Sequence, residues 1–178
     1  KRRLPLLTDV LDNVDRLSRS LGEMAATHAY SKFGATCSAT CGSGCCYQLF
    51  TITFTEGLAL AQWLREQGRV NEELRARLTL AASAMENVTH REHFLSSTPC
   101  VFLDKDEHCS VYAGRPLTCR LHYVRCNPDL CRPEIFDERA VAEVMDPQPW
   151  RAEAAKIWEI AEPELGVKPN RRGQEQPI

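Results

Sequence analysis

The stretch that decides the fold is CSATCGSGCC, which runs from Cys37 to Cys46. It holds four cysteines in ten positions, and no residue between them is larger than threonine. The small side chains and two glycines fit neither a helical nor a strand period, so we expect a loop. Cys37, Cys41 and Cys45 lie four residues apart, and a curled loop would bring their thiols to one point. The stretch therefore predicts half of a sulfur site.

The remaining cysteines also lie in the middle of the 178-residue chain; they are Cys100, Cys109, Cys119, Cys126 and Cys131. A disulfide scaffold usually spreads its crosslinks through a small domain that lacks a core. This chain has long amphipathic segments and enough length to bury a core. The clustering of the cysteines therefore favours one local sulfur site. The alternatives are a disulfide framework with one thiol left over, since nine is an odd number, or cysteines buried as small hydrophobes.

Clustered thiolates are typical ligands of zinc and iron, because soft sulfur donors suit both metals. Four sulfurs in a tetrahedron satisfy one zinc ion or a four-iron cluster. Cys45 and Cys46 are adjacent, and a disulfide between neighbours is strained, so we expect them to serve different partners or different metals. Cys100, Cys109 and Cys119 are the candidates that complete the half-site. Because the sulfurs exceed the needs of one zinc ion, we favour an iron–sulfur cluster of the [4Fe–4S] type over Zn²⁺.

Apolar periodicity predicts a mainly α-helical single domain with a cysteine-rich metal-binding loop and a small β-hairpin. Helices are expected over residues 8–29 and 149–161, and two more lie between them. One opens with a capping box at 53–56 and is closed by Gly68; the next is capped by Asn71, and its apolar pattern fades by Ser96. A short helix beginning at Pro116 should present Cys119 and Arg120. Residues 100–112 are typical of a hairpin with a charged turn. We assign residues 1–163 to one metal-binding domain, with its core motif at 37–131, and 164–178 to a loosely ordered tail.

The overall charge excludes two classes of partner. The formal net charge is −2, so nothing global attracts nucleic acid or an anionic membrane. No apolar run approaches the ~18 residues that a membrane span needs, and the basic start is too poor in leucine for a retained signal peptide. We expect a cytoplasmic protein whose partner is a metal ion or cluster, and the sequence names no protein partner.

Three motifs together carry a family resemblance: CSATCGSGCC, the FTEG of residues 54–57, and PCVFLDKDEHCSVYAGRPLTCR at 99–120. They resemble the YkgJ-type cysteine-cluster family, also called the CxxCxxCC family, a zinc- or iron-chelating domain related to flagellin lysine methylases. The resemblance implies that the metal ligands are Cys37, Cys41, Cys45, Cys46, Cys100, Cys109 and Cys119. Its accompanying positions are Glu56, Tyr112, Arg115, Pro116 and Arg120. Cys126 and Cys131 lie outside the motif and are candidate additional ligands.

Charged residues and histidines near the motifs have two interpretations each. Arg115 and Arg120 could donate hydrogen bonds to the sulfurs and offset thiolate charge. Alternatively, Arg115 pairs with a carboxylate such as Glu56, which we otherwise expect to start a helix rather than bind metal. His108 and His122 flank motif cysteines and are candidate substitute ligands.

Three functions follow from these residues. The first is a metal-binding protein with a structural, redox or metal-handling role. The second is a modifying enzyme of the methyl-transfer type, by analogy with the flagellin methylases, although no glycine-rich nucleotide loop follows a strand. The third is a thiol–disulfide redox switch at Cys45, Cys46, Cys126 or Cys131, which requires an exposed thiolate of lowered pKa.

Overall fold

The computed structural model describes residues 7–37, 44–135, 148–164 and 176–177, and within them the chain is mainly α-helical, as predicted. The helices are α1 (Leu7–His28), α2 (Phe54–Glu66), α3 (Glu72–Met85), α4 (His90–Leu95), α5 (Leu117–Arg120) and α6 (Gln148–Glu164). Two-residue strands, β1 (Thr51–Ile52) and β2 (Gln176–Pro177), pair antiparallel. In these ranges no helix combines the length and the apolar character that crossing a bilayer requires.

The main hydrophobic core lies between α1, α5 and α6. Its buried residues are Val10, Val14, Leu21, Ala25, Leu117, Leu121, Ala154, Ile157 and Ala161. Those of α1 recur at intervals of four and seven residues, which places them on one helix face. Burying a leucine or valine in this way stabilises the fold by about 1.5–3 kcal/mol relative to its exposure. Because Leu117 and Leu121 belong to this core, the short helix that carries Cys119 is held against α1.

A second core lies beneath the hairpin region. It consists of Leu60, Leu64, Phe102 and Val111, with Trp63, Leu74, Cys100, Val101 and Cys109 packed against it. The predicted hairpin is reduced to one antiparallel bridge, between Leu103 and Cys109. Its charged turn is closed by Asp104, whose side chain accepts hydrogen bonds from the backbone N–H groups of Asp106 and His108. This core therefore fixes two motif cysteines on the apolar side of α2.

The start of α2 confirms the predicted capping box. The N–H of Glu56 donates to Thr53 Oγ1 at 3.2 Å, and the N–H of Thr53 donates to Glu56 Oε2 at 2.8 Å. This reciprocal pair satisfies donors that the first helical turn would otherwise leave without partners. Glu56 is thus a helix-start residue, as expected.

The third predicted helix is shorter than expected. Asn71 caps it as predicted, but it ends at residue 85, well before Ser96, where the apolar pattern fades, and Asn87 adopts a left-handed backbone conformation with φ of 64°. A further helix, α4, then begins with a capping box between Thr89 and Glu92 that the prediction missed. Threonine followed three residues later by glutamate is the signal of this second start.

The end of α1 leads directly to the first cysteine. A wider turn, Ala29–Phe33, continues the helix, and Gly34 ends it with a left-handed φ of 74°. The N–H of Thr36 then donates to the carbonyl of Val124 at 3.0 Å. Cys37 is therefore placed beside the segment that follows α5. Cys41 falls within residues 38–43, outside the described ranges.

Candidate metal centre

A cavity of about 100 Å³ lies where the two cysteine-rich stretches meet. The cysteines among its lining residues are Cys37, Cys45, Cys46, Cys100, Cys109, Cys119 and Cys131. Apolar side chains of the second core, such as Leu60 and Phe102, form much of the remaining wall. Sulfur atoms that are far apart in the sequence therefore share one largely apolar space.

The backbone joins the two stretches next to this cavity. Cys45 and Cys46 lie in a tight turn, Gly44–Tyr47. The N–H of Cys100 donates to the carbonyl of Cys46 at 2.7 Å, which ties that turn to the start of the hairpin region. This contact brings an adjacent cysteine pair against a region that carries two further cysteines.

Three thiols interact directly. Hydrogen bonding with Cys46 lowers the pKa of Cys109 to about 6 and also lowers the pKa of Cys45, and in both cases it outweighs burial. Hydrogen bonds with Cys109 and Cys45 raise the pKa of Cys46, so this residue retains its proton at a pH at which Cys109 ionises. Metals bind the deprotonated form of a thiol, so a metal ion bound to Cys46 would replace this proton.

Two further thiols at the cavity are held in an apolar environment. Burial raises the pKa of Cys100 to about 11, and burial followed by the charge of Cys45 raises the pKa of Cys119. Several ionised thiols in a desolvated space repel one another and are costly. A bound cation removes this cost, which makes the donor set suited to a metal centre.

Backbone amides also point toward the sulfurs. The N–H of Val124 donates to Cys37 Sγ at 3.1 Å. The N–H groups of Phe102 and Val111, each two residues after a cysteine, favour the ionised forms of Cys100 and Cys109. Such donors stabilise thiolate ligands and tune the potential of iron–sulfur centres. Sequence reasoning missed them, because only the local backbone conformation reveals them.

The two motif arginines have different environments. The guanidinium of Arg115 stacks on the ring of Tyr112 at 3.8 Å from its centroid, and its buried Nε has no hydrogen-bond partner. Its charge favours the ionised forms of Cys45 and Cys109. Arg115 therefore lies where it can offset thiolate charge. Among the described residues it has no ion pair with Glu56.

Arg120 instead stabilises the turn at residues 113–115 that precedes its helix. Its Nε donates to the carbonyl of Arg115 at 2.9 Å, and a second nitrogen donates to the carbonyl of Ala113. These bonds direct two of its nitrogens to the backbone rather than to sulfur. The side chain also packs closely over Gly22 of α1.

The helix that carries Cys119 is anchored by two hydrogen bonds at its first two residues. The N–H of Leu117 donates to Glu56 Oε1 at 2.9 Å, and Thr118 Oγ1 donates to the carbonyl of Thr51 at 3.2 Å. Pro116 was expected at the first helical position but precedes it, in an extended conformation, as the N-cap. Cys119 is thus positioned by contacts from α2 and β1.

The two cysteines outside the motif differ in position. Cys131 is buried and lines the cavity, and its backbone and Cβ pack against Gly44. Cys126 is half-buried, is not among the cavity-lining residues, and accepts a hydrogen bond from Thr36 through its carbonyl. The structure therefore brings only Cys131 of this pair close to the other sulfurs.

The two histidines that flank motif cysteines also differ. His108 is exposed in the hairpin turn. His122 lines the cavity; the residue is partly exposed, but its Nε2 atom is buried without a hydrogen-bond partner. Burial lowers the pKa of His122 to about 4, so the imidazole is neutral at neutral pH.

Within the described ranges, no three His, Cys, Asp or Glu side chains already stand in a metal-coordinating arrangement, and no disulfide joins two of the cysteines. The residues nevertheless fit a metal by their chemistry: converging thiols, amide donors to sulfur, a nearby guanidinium and an unpartnered imidazole nitrogen. These features define a small helical protein with a cysteine cluster.

Comparison with known families agrees with this class. The model of the CxxCxxCC family, described as "Putative zinc- or iron-chelating domain", matches residues 36–147, and the chain belongs to this family. Three residues rather than two separate its first three cysteines, so its spacing departs from the pattern in the family name. No curated protein and no solved structure matches the chain significantly. Membership supports zinc or iron binding as the general function.

Proposed function

We propose that the chain holds an iron–sulfur cluster in this cavity, bound by cysteine thiolates from both stretches. The supporting observation is the convergence of the two stretches: Cys45 and Cys46 from the first meet Cys100, Cys109 and Cys119 from the second. Four sulfurs suffice for one zinc ion or one four-iron cluster. The excess of sulfur over the needs of one zinc ion favours the cluster. Cys37 and Cys41 complete the set of candidate ligands.

The surroundings of the thiols support this proposal. Amide donors to Cys37, Cys100 and Cys109, together with the charge of Arg115, favour thiolates. The apolar wall lowers the local dielectric constant, which strengthens metal–thiolate attraction. A centre of this kind joins the two stretches covalently through the metal, so its role includes stabilisation of the fold.

A second candidate function is a thiol–disulfide switch. The observation that favours it is the contact between Cys109, with its pKa of about 6, and Cys46. An ionised thiol beside a protonated one is the arrangement that thiol exchange uses. In this case a two-electron oxidant would accept two electrons while the Cys109 thiolate and the Cys46 thiol form an S–S bond, and the one remaining proton, that of Cys46, would be released.

Metal analysis of protein purified without oxygen tests the proposal. We expect a brown protein that contains iron and acid-labile sulfide in equal amounts. Cys119→Ser should lose both, whereas the matched variant Cys126→Ser, whose sulfur lies away from the cavity, should keep both. A colourless protein with bound zinc would show that the site holds zinc instead of a cluster. Metal-free protein that loses thiols in pairs on mild oxidation would support the switch. If Cys119→Ser stays folded with its full metal content, Cys119 is not a ligand.

A further inference from the structure

We propose that Nε2 of His122 binds the metal directly, as a nitrogen ligand in a centre otherwise made of thiolates. The inference rests on the proposed metal-binding function and adds a residue outside the cysteine motif. Its basis is the position of this nitrogen, which is buried at the edge of the cavity that the thiols share and has no hydrogen-bond partner.

A buried nitrogen without a partner is costly. Leaving a polar group desolvated and unpaired costs roughly 1–3 kcal/mol, so buried imidazole nitrogens are almost always hydrogen-bonded or bound to metal. Imidazole is also a common ligand of zinc and iron in proteins, alone or together with cysteine. Binding a metal would give Nε2 the partner that it lacks.

His122 lines the same cavity as a candidate thiolate ligand, Cys119, that precedes it by three residues. Cys119 lies in α5, and the cap residue Leu121 keeps a helical conformation, with φ of −93° and ψ of −5°. His122 follows this cap residue, and both Cys119 and His122 line the cavity. The ring of Phe50 meets the imidazole edge-on, with centroids 5.1 Å apart, and limits its rotation.

Comparison with two other histidines distinguishes this position. His108 precedes a motif cysteine, yet it is exposed. His93 is buried and also lines the cavity, but it is not among the residues with a buried unpartnered side-chain atom. Within the described chain, His122 alone among the histidines combines cavity lining with a buried nitrogen that has no partner.

The test detects nitrogen at the metal in the full-length, metal-loaded protein. Protein is prepared anaerobically with natural or ¹⁵N-labelled histidine, and an iron form is reduced and studied by pulsed electron paramagnetic resonance. A zinc form is studied by X-ray absorption at the zinc edge, where nitrogen at ~2.0–2.1 Å is resolved from sulfur at ~2.3 Å. We expect a histidine nitrogen signal in the native protein. His122→Phe should abolish it and weaken metal binding by more than about tenfold.

His108→Gln is the matched control and should keep both the nitrogen signal and the affinity. Full metal loading with sulfur donors only would overturn this inference and leave the proposed function standing. A nitrogen signal that persists in His122→Phe would also overturn it. Protein that binds no metal would refute both. The labelled native protein gives a decisive spectrum even if His122→Phe does not fold.

Discussion

The carboxylate of Glu56 accepts a hydrogen bond from the backbone N–H of Leu117 at 2.9 Å, between residues 61 positions apart in the sequence. The same carboxylate closes the capping box with Thr53. One side chain therefore fixes the start of α2 and the start of the helix that carries Cys119. Replacing it should affect the fold and the thiol cluster together.

Glu56→Ala is expected to lower the free energy of unfolding by about 2–4 kcal/mol, since it removes a cap worth about 1 kcal/mol and leaves a buried N–H unpaired at a further cost of about 1–3 kcal/mol. Glu92→Ala is the matched control, because Glu92 forms the same capping box with Thr89 at an exposed site. It should cost only about 1 kcal/mol. Denaturant unfolding measures both, and equal losses would contradict the bridging role of Glu56.

Gly44→Ala is expected to disturb the turn that carries Cys45. A methyl group there would lie 2.8 Å from Cys131 Cβ and 2.9 Å from the carbonyl carbon of Cys131, and that backbone cannot easily move. We expect a loss of about 1–3 kcal/mol in stability and reduced metal content. Thermal unfolding and elemental analysis measure the two effects.

Gly57→Ala serves as the control for this glycine. Its nearest contact would be Ile52 Cδ1 at 3.7 Å, which is an ordinary van der Waals distance. Because Gly57 lies inside α2, alanine should stabilise the protein by about 0.5–1 kcal/mol. If Gly57→Ala lost as much stability as Gly44→Ala, crowding against Cys131 would not explain the loss in Gly44→Ala.

In the metal-free protein, acid should lower the free energy of unfolding through His122. Burial lowers its pKa to about 4 from an ordinary value near 6.5, so the neutral imidazole contributes stability that is fully present above about pH 6.5. This contribution is lost as the pH falls through the folded pKa of about 4, by up to about 3 kcal/mol. Unfolding measured across this window should show the loss. His122→Phe should remove that part of the pH dependence. If the variant's free energy of unfolding depends on pH as the native protein's does, His122 is not the group responsible.

Charge at Arg115 should control metal uptake at low pH. Because its guanidinium favours ionised Cys45 and Cys109, Arg115→Gln should raise the pH at which half of the metal is bound and weaken binding about tenfold or more at neutral pH. Arg115→Lys retains the positive charge and should largely preserve the pH of half-loading. Titration of metal content against pH measures this, and identical shifts in both variants would show that stacking on Tyr112 matters more than charge.

Local signals in the sequence predict much of the helical framework. The capping box at Thr53 and the cap at Asn71 depend only on residues within one helical turn, and both are confirmed. The unexpected start of α4 also carries a local signal, the threonine and glutamate of residues 89–92, so it could have been predicted. Apolar spacing alone does not reveal the break between α3 and α4, whereas the capping residues do.

The details of the candidate site depend on contacts that no local pattern contains. The hydrogen bond from the backbone N–H of Cys100 to the carbonyl of Cys46 joins segments that are distant in the chain. Arg115 and Arg120 look equivalent in sequence, yet the guanidinium of Arg120 donates hydrogen bonds to backbone carbonyls of its own turn. The unpartnered nitrogen of His122 depends on burial, which the neighbouring residues in sequence do not reveal.

The separation of the sulfur-bearing segments also sets an order of events during synthesis. A ribosome releases Cys45 and Cys46 together with α2, α3 and α4 before it releases Cys100, Cys109 and Cys119. The nascent polypeptide therefore carries an incomplete set of thiols, open to oxidants and to stray ions, until translation has passed α5.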